Sequence, residues 1–156
     1  MPGTPEDVTD LIQLVNRLFI SADARDWQAY RSLMTEEVTL DFGGVGPHAT
    51  GTRAADQVVR DAERVIGPVY LTQHMVANHV VSVTGDEASV EFYEHALHYH
   101  PALGPDEAIN TWVLYGRGVR TARRTDDGWR LTGAVLTIRH QTGNPGLMAD
   151  VAALES

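Results

Sequence analysis

The 156-residue chain carries seven histidines, and five of them, His74, His79, His95, His98 and His100, fall in two neighbouring segments. Histidine is the side chain best suited to exchanging protons near neutral pH. In Thr72-Gln73-His74-Met75-Val76-Ala77-Asn78, strand alternation sets His74, Val76, Asn78 and Val80 on one face and His79 on the other. In the next segment Val90, Phe92, Glu94, Ala96, His98 and His100 share a face. If Val90 and Phe92 look into a cavity, His98 and His100 do too. Asp23 is the matching carboxylate. It follows Phe19 by four residues, at the edge of an apolar stripe where a first helix ends. From there it can pair with an imidazole from the sheet, which orients the ring and fixes its tautomer. Those are properties of a general base. A surface acid at a helix end and a hydrogen-bonded strand histidine are the alternatives left open.

Other chemistries fit less well. His98-Tyr99-His100 places two imidazoles on one strand face with Glu94 at the same parity, a conceivable three-ligand metal set. No HExxH or comparable spaced motif accompanies it, so a metal is not the expectation. GxGxxG and GxxxxGK phosphate cradles are missing, and Gly43-Gly44-Val45-Gly46 reads as a loop because no helix opens behind it. The sequence has no cysteine, which removes thiolate nucleophiles, disulfides and cysteine-held metals. His48 and His140 sit in or near loops and carry no special signal.

These groups need elements to position them. Thr4-Pro5-Glu6-Asp7 reads as a helix start, followed by Val8, Leu11, Ile12, Val15, Leu18, Phe19 and Ala22 at helical spacing. Asp26 caps a shorter helix with Trp27, Tyr30, Leu33 and Met34. A strand over 38–42 and a third helix over about 54–66 follow. Four long strands are then expected over 70–84, 88–100, 109–123 and 129–141, with Gly85-Asp86 and Thr125-Asp126-Asp127-Gly128 as turns. A short terminal helix is expected over 147–154. Helices first and antiparallel strands afterwards indicate an α+β domain, with a curved sheet wrapped over the long first helix and a cavity at the open end. Gly133 in the last strand would help such bending. The whole chain, 1–156, reads as one domain, with a core over about 6–140 and a tail over 141–156.

Composition sets outer limits. A formal net charge of −9 repels phosphate backbones and anionic lipid, so neither nucleic acid nor membrane is an expected partner. The best basic cluster, Arg117, Arg120, Arg123 and Arg124, lacks interleaved stacking aromatics and reads as a solvated strand face. No signal-peptide pattern or membrane-length apolar run occurs, and the expected location is the cytoplasm.

The order of elements resembles the SnoaL-like, scytalone-dehydratase-like family of the nuclear-transport-factor-2-like superfamily. The resemblance rests on Asp23-Ala24-Arg25-Asp26-Trp27, Thr72-Gln73-His74 and Asp127-Gly128-Trp129-Arg130, and covers roughly residues 6 to 140. It implies a cone-shaped α+β barrel without metal or cofactor, often a homodimer or homotrimer. Dehydration, isomerisation or cyclisation of a small hydrophobic, aromatic or polyketide-like substrate through an enol or enolate is its implied chemistry. Carried over by position, the proton-handling residues fall on Asp23, His74 and His98. Phe42, Asn78, His100 and Phe19 are the expected substrate contacts. Two tyrosines that polarise a carbonyl in scytalone dehydratases are matched here by Ala22 and Phe42, so the proton-transfer groups are kept while the carbonyl-binding groups have changed. A lyase or isomerase is the leading expectation. A polyketide-type cyclase and a non-enzymatic binding or association module are the alternatives.

Overall fold

A computed structural model describes residues 3–43 and 50–154. Helix α1 (Pro5–Asp23) opens with a reciprocal cap: the Asp7 amide donates to Thr4 Oγ1 at 3.1 Å, and the Thr4 amide donates to Asp7 Oδ2 at 2.9 Å. The other Asp7 oxygen accepts from Trp129 Nε1 at 3.1 Å and pairs with Arg124 at 2.8 Å. One buried carboxylate thus ties the helix start to Arg124 and Trp129, which are distant in the sequence. The buried face of α1 includes Leu11, Leu14, Val15, Leu18, Phe19 and Ala22, whereas Val8 is exposed.

Helix α2 (Trp27–Ser32) is capped by Asp26, whose Oδ1 accepts from the Ala29 amide. Strands β1 (Met34–Asp41) and β2 (Thr50–Ala54) lead into α3 (Ala55–Ile66). Strands β3 (Leu71–Thr84) and β4 (Glu87–Tyr99) form a long hairpin, and a 3₁₀ turn (Pro101–Leu103) and α4 (Glu107–Asn110) precede β5 (Thr111–Thr125). Strand β6 (Gly128–Gly143) and helix α5 (Leu147–Leu154) complete the chain. Two elements went unread in the sequence: the short, exposed β2, and α4, which takes the residues expected to begin the third long strand. His48 and the Gly44–Gly46 part of the glycine loop lie outside the described residues.

The result is an α+β fold with one curved, unclosed six-stranded sheet in the order β2-β1-β6-β5-β4-β3. All neighbours are antiparallel except β1 and β6, which run parallel. Gly133 stands at that parallel junction, where a Cβ would come within 2.6 Å of Thr121 Oγ1 and 3.1 Å of the Thr39 carbonyl. Gly118 permits another close approach, because a Cβ there would meet the Phe92 ring at 2.4 Å. Helix α1 crosses the concave face, and one apolar cluster joins its stripe to Val38, Val90, Phe92, Trp129 and Leu131. A second cluster gathers Val69, Ala96, Trp112 and Leu114 around Leu147 and Val151 of α5. A cavity opens between them. Among the described residues no helix is long and apolar enough to cross a membrane.

Candidate active site

Asp23 is the last residue of α1, and the chain leaves it through Arg25 in the left-handed region at φ 58°. That conformation is uncommon for a residue with a side chain. It is held by the guanidinium, which donates to the carbonyls of Ala22, Asp23 and Val69 and, at 2.7 Å, to Thr72 Oγ1. With one lone pair of Thr72 so occupied, its hydroxyl donates to Asp23 Oδ1 at 2.8 Å. The backbone amide of His74 donates to Asp23 Oδ2 at 2.8 Å, and His74 Nδ1 lies 2.7 Å from Oδ1. Partial burial pushes the Asp23 carboxyl upward, but the His74 ring, its amide and Thr72 outweigh it and hold the group below the usual carboxylate range. An ionised carboxylate cannot donate, so the neutral ring keeps its proton on Nδ1 and presents the Nε2 lone pair. Phe19 stacks on the imidazole with ring centroids 5.2 Å apart.

His98 projects from β4 toward His74, the rings edge to face at 5.7 Å. It stacks on Trp112 at 4.7 Å, and its Nδ1 is 3.3 Å from the Trp112 carbonyl. Burial first, and the nearby His74 second, push His98 down to about 4. Its ring is therefore neutral at ordinary pH. With Nδ1–H given to the carbonyl, Nε2 acts as an acceptor. Both imidazoles line a cavity of about 340 Å³ whose walls are largely apolar and include Phe19, Ala22 and Phe42. Met148 of α5 lines it too, so the tail forms part of the wall.

Two expected substrate contacts lie elsewhere. Asn78 sits at φ 60° in a bulge of β3, where the register skips between Ala77 and Val80. The extra residue flips the alternation beyond it. Asn78 is turned to solvent, and His79 faces inward against Phe92 instead. His100 falls just after β4 ends, where its Nδ1 accepts from the Ala102 amide and its ring meets Tyr70. The Glu94, His98 and His100 set therefore does not assemble, and among the described residues no group of three or more suits a metal ion.

The cavity also holds groups not expected from the sequence. Arg120 belongs to no solvated face: it is 5% exposed and lines the cavity, while Arg117 and Arg123 pair with Glu91 and Glu87 outside. The signal was available. Trp112, Leu114, Arg120 and Ala122 share one parity in β5, opposite to Arg117 and Arg123. Glu94 and Tyr30 line the same cavity, Glu94 with 6% exposure.

A concave α+β sheet with a helix across it thus carries a carboxylate–imidazole pair at an apolar cavity. Residues 4–135 match the SnoaL-like domain, and the chain belongs to that family. Scytalone dehydratase arp1 of Aspergillus fumigatus is 25% identical over 126 residues, which span 76% of this chain and 74% of that one. Among solved structures, the Kfla4162 protein of Kribbella flavida is similar at a TM-score of 0.85 and 28% identity, covering 92% of this chain and 97% of its own. A nuclear transport factor 2-like superfamily protein of Salmonella enterica serovar Typhimurium matches at 0.73 and 19% identity, covering 90% and 96%. The last shows the fold alone. These likenesses place the chain among folds and families that include lyase-type enzymes acting on small molecules.

Proposed function

We propose that the protein is a small-molecule lyase or isomerase working by acid–base catalysis through an enolate. His74 Nε2 takes the proton from a carbon next to a carbonyl, and the resulting imidazolium rests against Asp23. The enolate electrons then form the carbon–carbon double bond as a β-hydroxyl leaves, protonated to water by the same Nε2–H. In an isomerisation the proton returns instead to another carbon. The 2.7 Å contact between Asp23 Oδ1 and His74 Nδ1 beside an apolar cavity carries this reading. A positioned general base contributes roughly 10² to 10⁴-fold.

His98 takes a different part from the one expected of it. A ring held neutral, with a value of about 4, is a poor proton donor at neutral pH. It serves instead to accept a substrate hydroxyl and orient the bond that breaks. The carrier alternative needed Asp23 apart from His74, and the contact removes that support. About 340 Å³ is near the lower end of ligand pockets, which favours one- or two-ring substrates over the long chains a polyketide cyclase folds. Deuterium exchange next to the carbonyl of small cyclic ketones, followed by NMR in D₂O, tests the proposal. The wild-type protein should accelerate exchange and folded His74→Ala should lose at least about 100-fold of it. Equal exchange by both proteins refutes a base at His74.

A further inference from the structure

The inner wall of the cavity holds a buried arginine and a buried glutamate that do not pair. Arg120 enters from β5 and its guanidinium carbon lies 5.2 Å from the ring centroids of Phe19 and of Phe92, and 6.0 Å from that of Phe42. Its Nη1 donates to the carbonyls of Val119 and Val135 at 3.2 and 3.3 Å. Nε is buried without a partner. Glu94 enters from the neighbouring strand, and its Oε2 is also buried without a partner. No hydrogen bond or ion pair joins the two side chains among the described residues. Burying a cation and an anion with polar atoms unsatisfied is costly, and a natural fold keeps such an arrangement where something else completes it. Both groups line the cavity that holds His74 and His98, and Tyr30 of α2 lines it too.

The charge balance selects the ligand. A carboxylate offered to Arg120 feels the charge of Glu94, which acts on Arg120 across the cavity wall, and an ammonium offered to Glu94 feels that of Arg120. A neutral molecule with an oxygen acceptor toward Arg120 and a hydroxyl donor toward Glu94 suits both side chains where they line the cavity. We propose that Arg120 and Glu94 form a subsite for an uncharged, oxygen-bearing ring, with a carbonyl oxygen on Arg120 and a hydroxyl donating to Glu94. The cavity of about 340 Å³ holds on the order of ten water-sized groups, which matches such a ring. The subsite rests on the proposed function in one respect: its ligand is that site's substrate. Arg120 and His74 both contact the Phe19 ring and both line the cavity, so one small molecule can reach the two.

Equilibrium binding tests this without any turnover. The probes are meta- and para-hydroxyacetophenone, acetophenone, ethylbenzene and benzoate, titrated calorimetrically against the full chain. In the wild type at least one hydroxyacetophenone should bind about tenfold or more tightly than acetophenone, and acetophenone about tenfold more tightly than ethylbenzene. Benzoate should gain at least several-fold in Glu94→Gln, because the like charge is gone, while the hydroxyl advantage shrinks. Arg120→Met should lose the carbonyl advantage. Should that variant fail to fold, the neutral double variant Glu94→Gln, Arg120→Met should lose both preferences, since a buried pair tolerates joint neutralisation. Ethylbenzene binding as tightly as the hydroxyacetophenones, or a folded double variant that keeps both preferences, overturns the subsite. His74→Ala should leave the ranking intact. Lost deuterium-exchange activity with an intact ranking therefore indicts the base alone, and a flat ranking with intact exchange indicts the subsite alone.

Discussion

Replacing Asp23 by Asn changes one oxygen to nitrogen and leaves size unchanged, yet none of its orientations satisfies the site. Asp23 accepts three hydrogen bonds, from Thr72 Oγ1 and His74 Nδ1 on one oxygen and from the His74 amide on the other. If the Asn carbonyl faces Thr72 and the ring, its NH₂ confronts the buried His74 amide, donor against donor. If the amide is turned round, its NH₂ donates to Nδ1 and moves the ring proton to Nε2, the atom proposed to take a proton. Losing the charge-assisted bond to the imidazolium costs about 1.5 to 3 kcal/mol, and restoring the productive tautomer adds about 1 to 2. Together these amount to roughly 10² to 10⁴-fold in rate. Base-promoted ring opening of nitrobenzisoxazole, which loses one C–H proton to give a coloured phenolate, reads this without knowing the natural substrate. Denaturant unfolding of the same variant should show a loss of about 1 to 3 kcal/mol for the badly paired amide. Folded Asp23→Asn keeping more than about a tenth of the wild-type rate refutes the reasoning, because the carboxylate would then be dispensable to the base.

Two further perturbations follow from the same geometry. The folded value of His98, about 4, lies below the ordinary histidine value, so the unfolded chain binds more protons between the two. Stability should therefore fall as pH drops from about 6.5 to about 4, by at most about 3 kcal/mol. His98→Gln should shrink that loss, leaving the part due to His79, whose partial burial also lowers its value; an unchanged slope assigns the whole of it to other groups. The depressed Asp23 value adds its own loss only at lower pH, as that carboxylate protonates. Arg25→Gly suits the left-handed backbone at φ 58° while deleting the bonds to Val69 and Thr72. Its kcat on the nitrobenzisoxazole probe should fall about tenfold with KM nearly unchanged, and Arg25→Lys should not restore it, because an ammonium lacks the planar fork. Wild-type kcat in Arg25→Gly removes Arg25 as a positioning residue.

The fold was largely legible because its signals are local and periodic. Thr4 and Asp7 announce the start of α1, Asp26 announces α2, and the terminal helix falls on the expected Leu147–Leu154. Strand β2 escaped because it is short and almost wholly exposed, without an apolar face to betray it. Which side chains face the cavity was legible where strand parity is unbroken, as at His74 and His98. It failed at Asn78, where a bulge reverses parity, and at His100, where the strand stops one residue early. Both are backbone irregularities that an alternation rule cannot see. Arg120 was lost for another reason. Its charge suggested solvent while its parity with Trp112 and Leu114 said interior, and parity was the better guide. Three aromatic rings and two carbonyls lodge the guanidinium inside.

Everything proposed for the reaction depends on which nitrogen of His74 carries the proton. Nitrogen-15 NMR of the histidine rings, assigned through His74→Ala and repeated in Asp23→Asn, reads that atom directly. The neutral His74 ring should show protonated Nδ1 and a bare Nε2 in the wild type, and should shift toward protonated Nε2 in the variant. A wild-type ring protonated on Nε2, or a tautomer that does not change when the carboxylate is removed, contradicts the account.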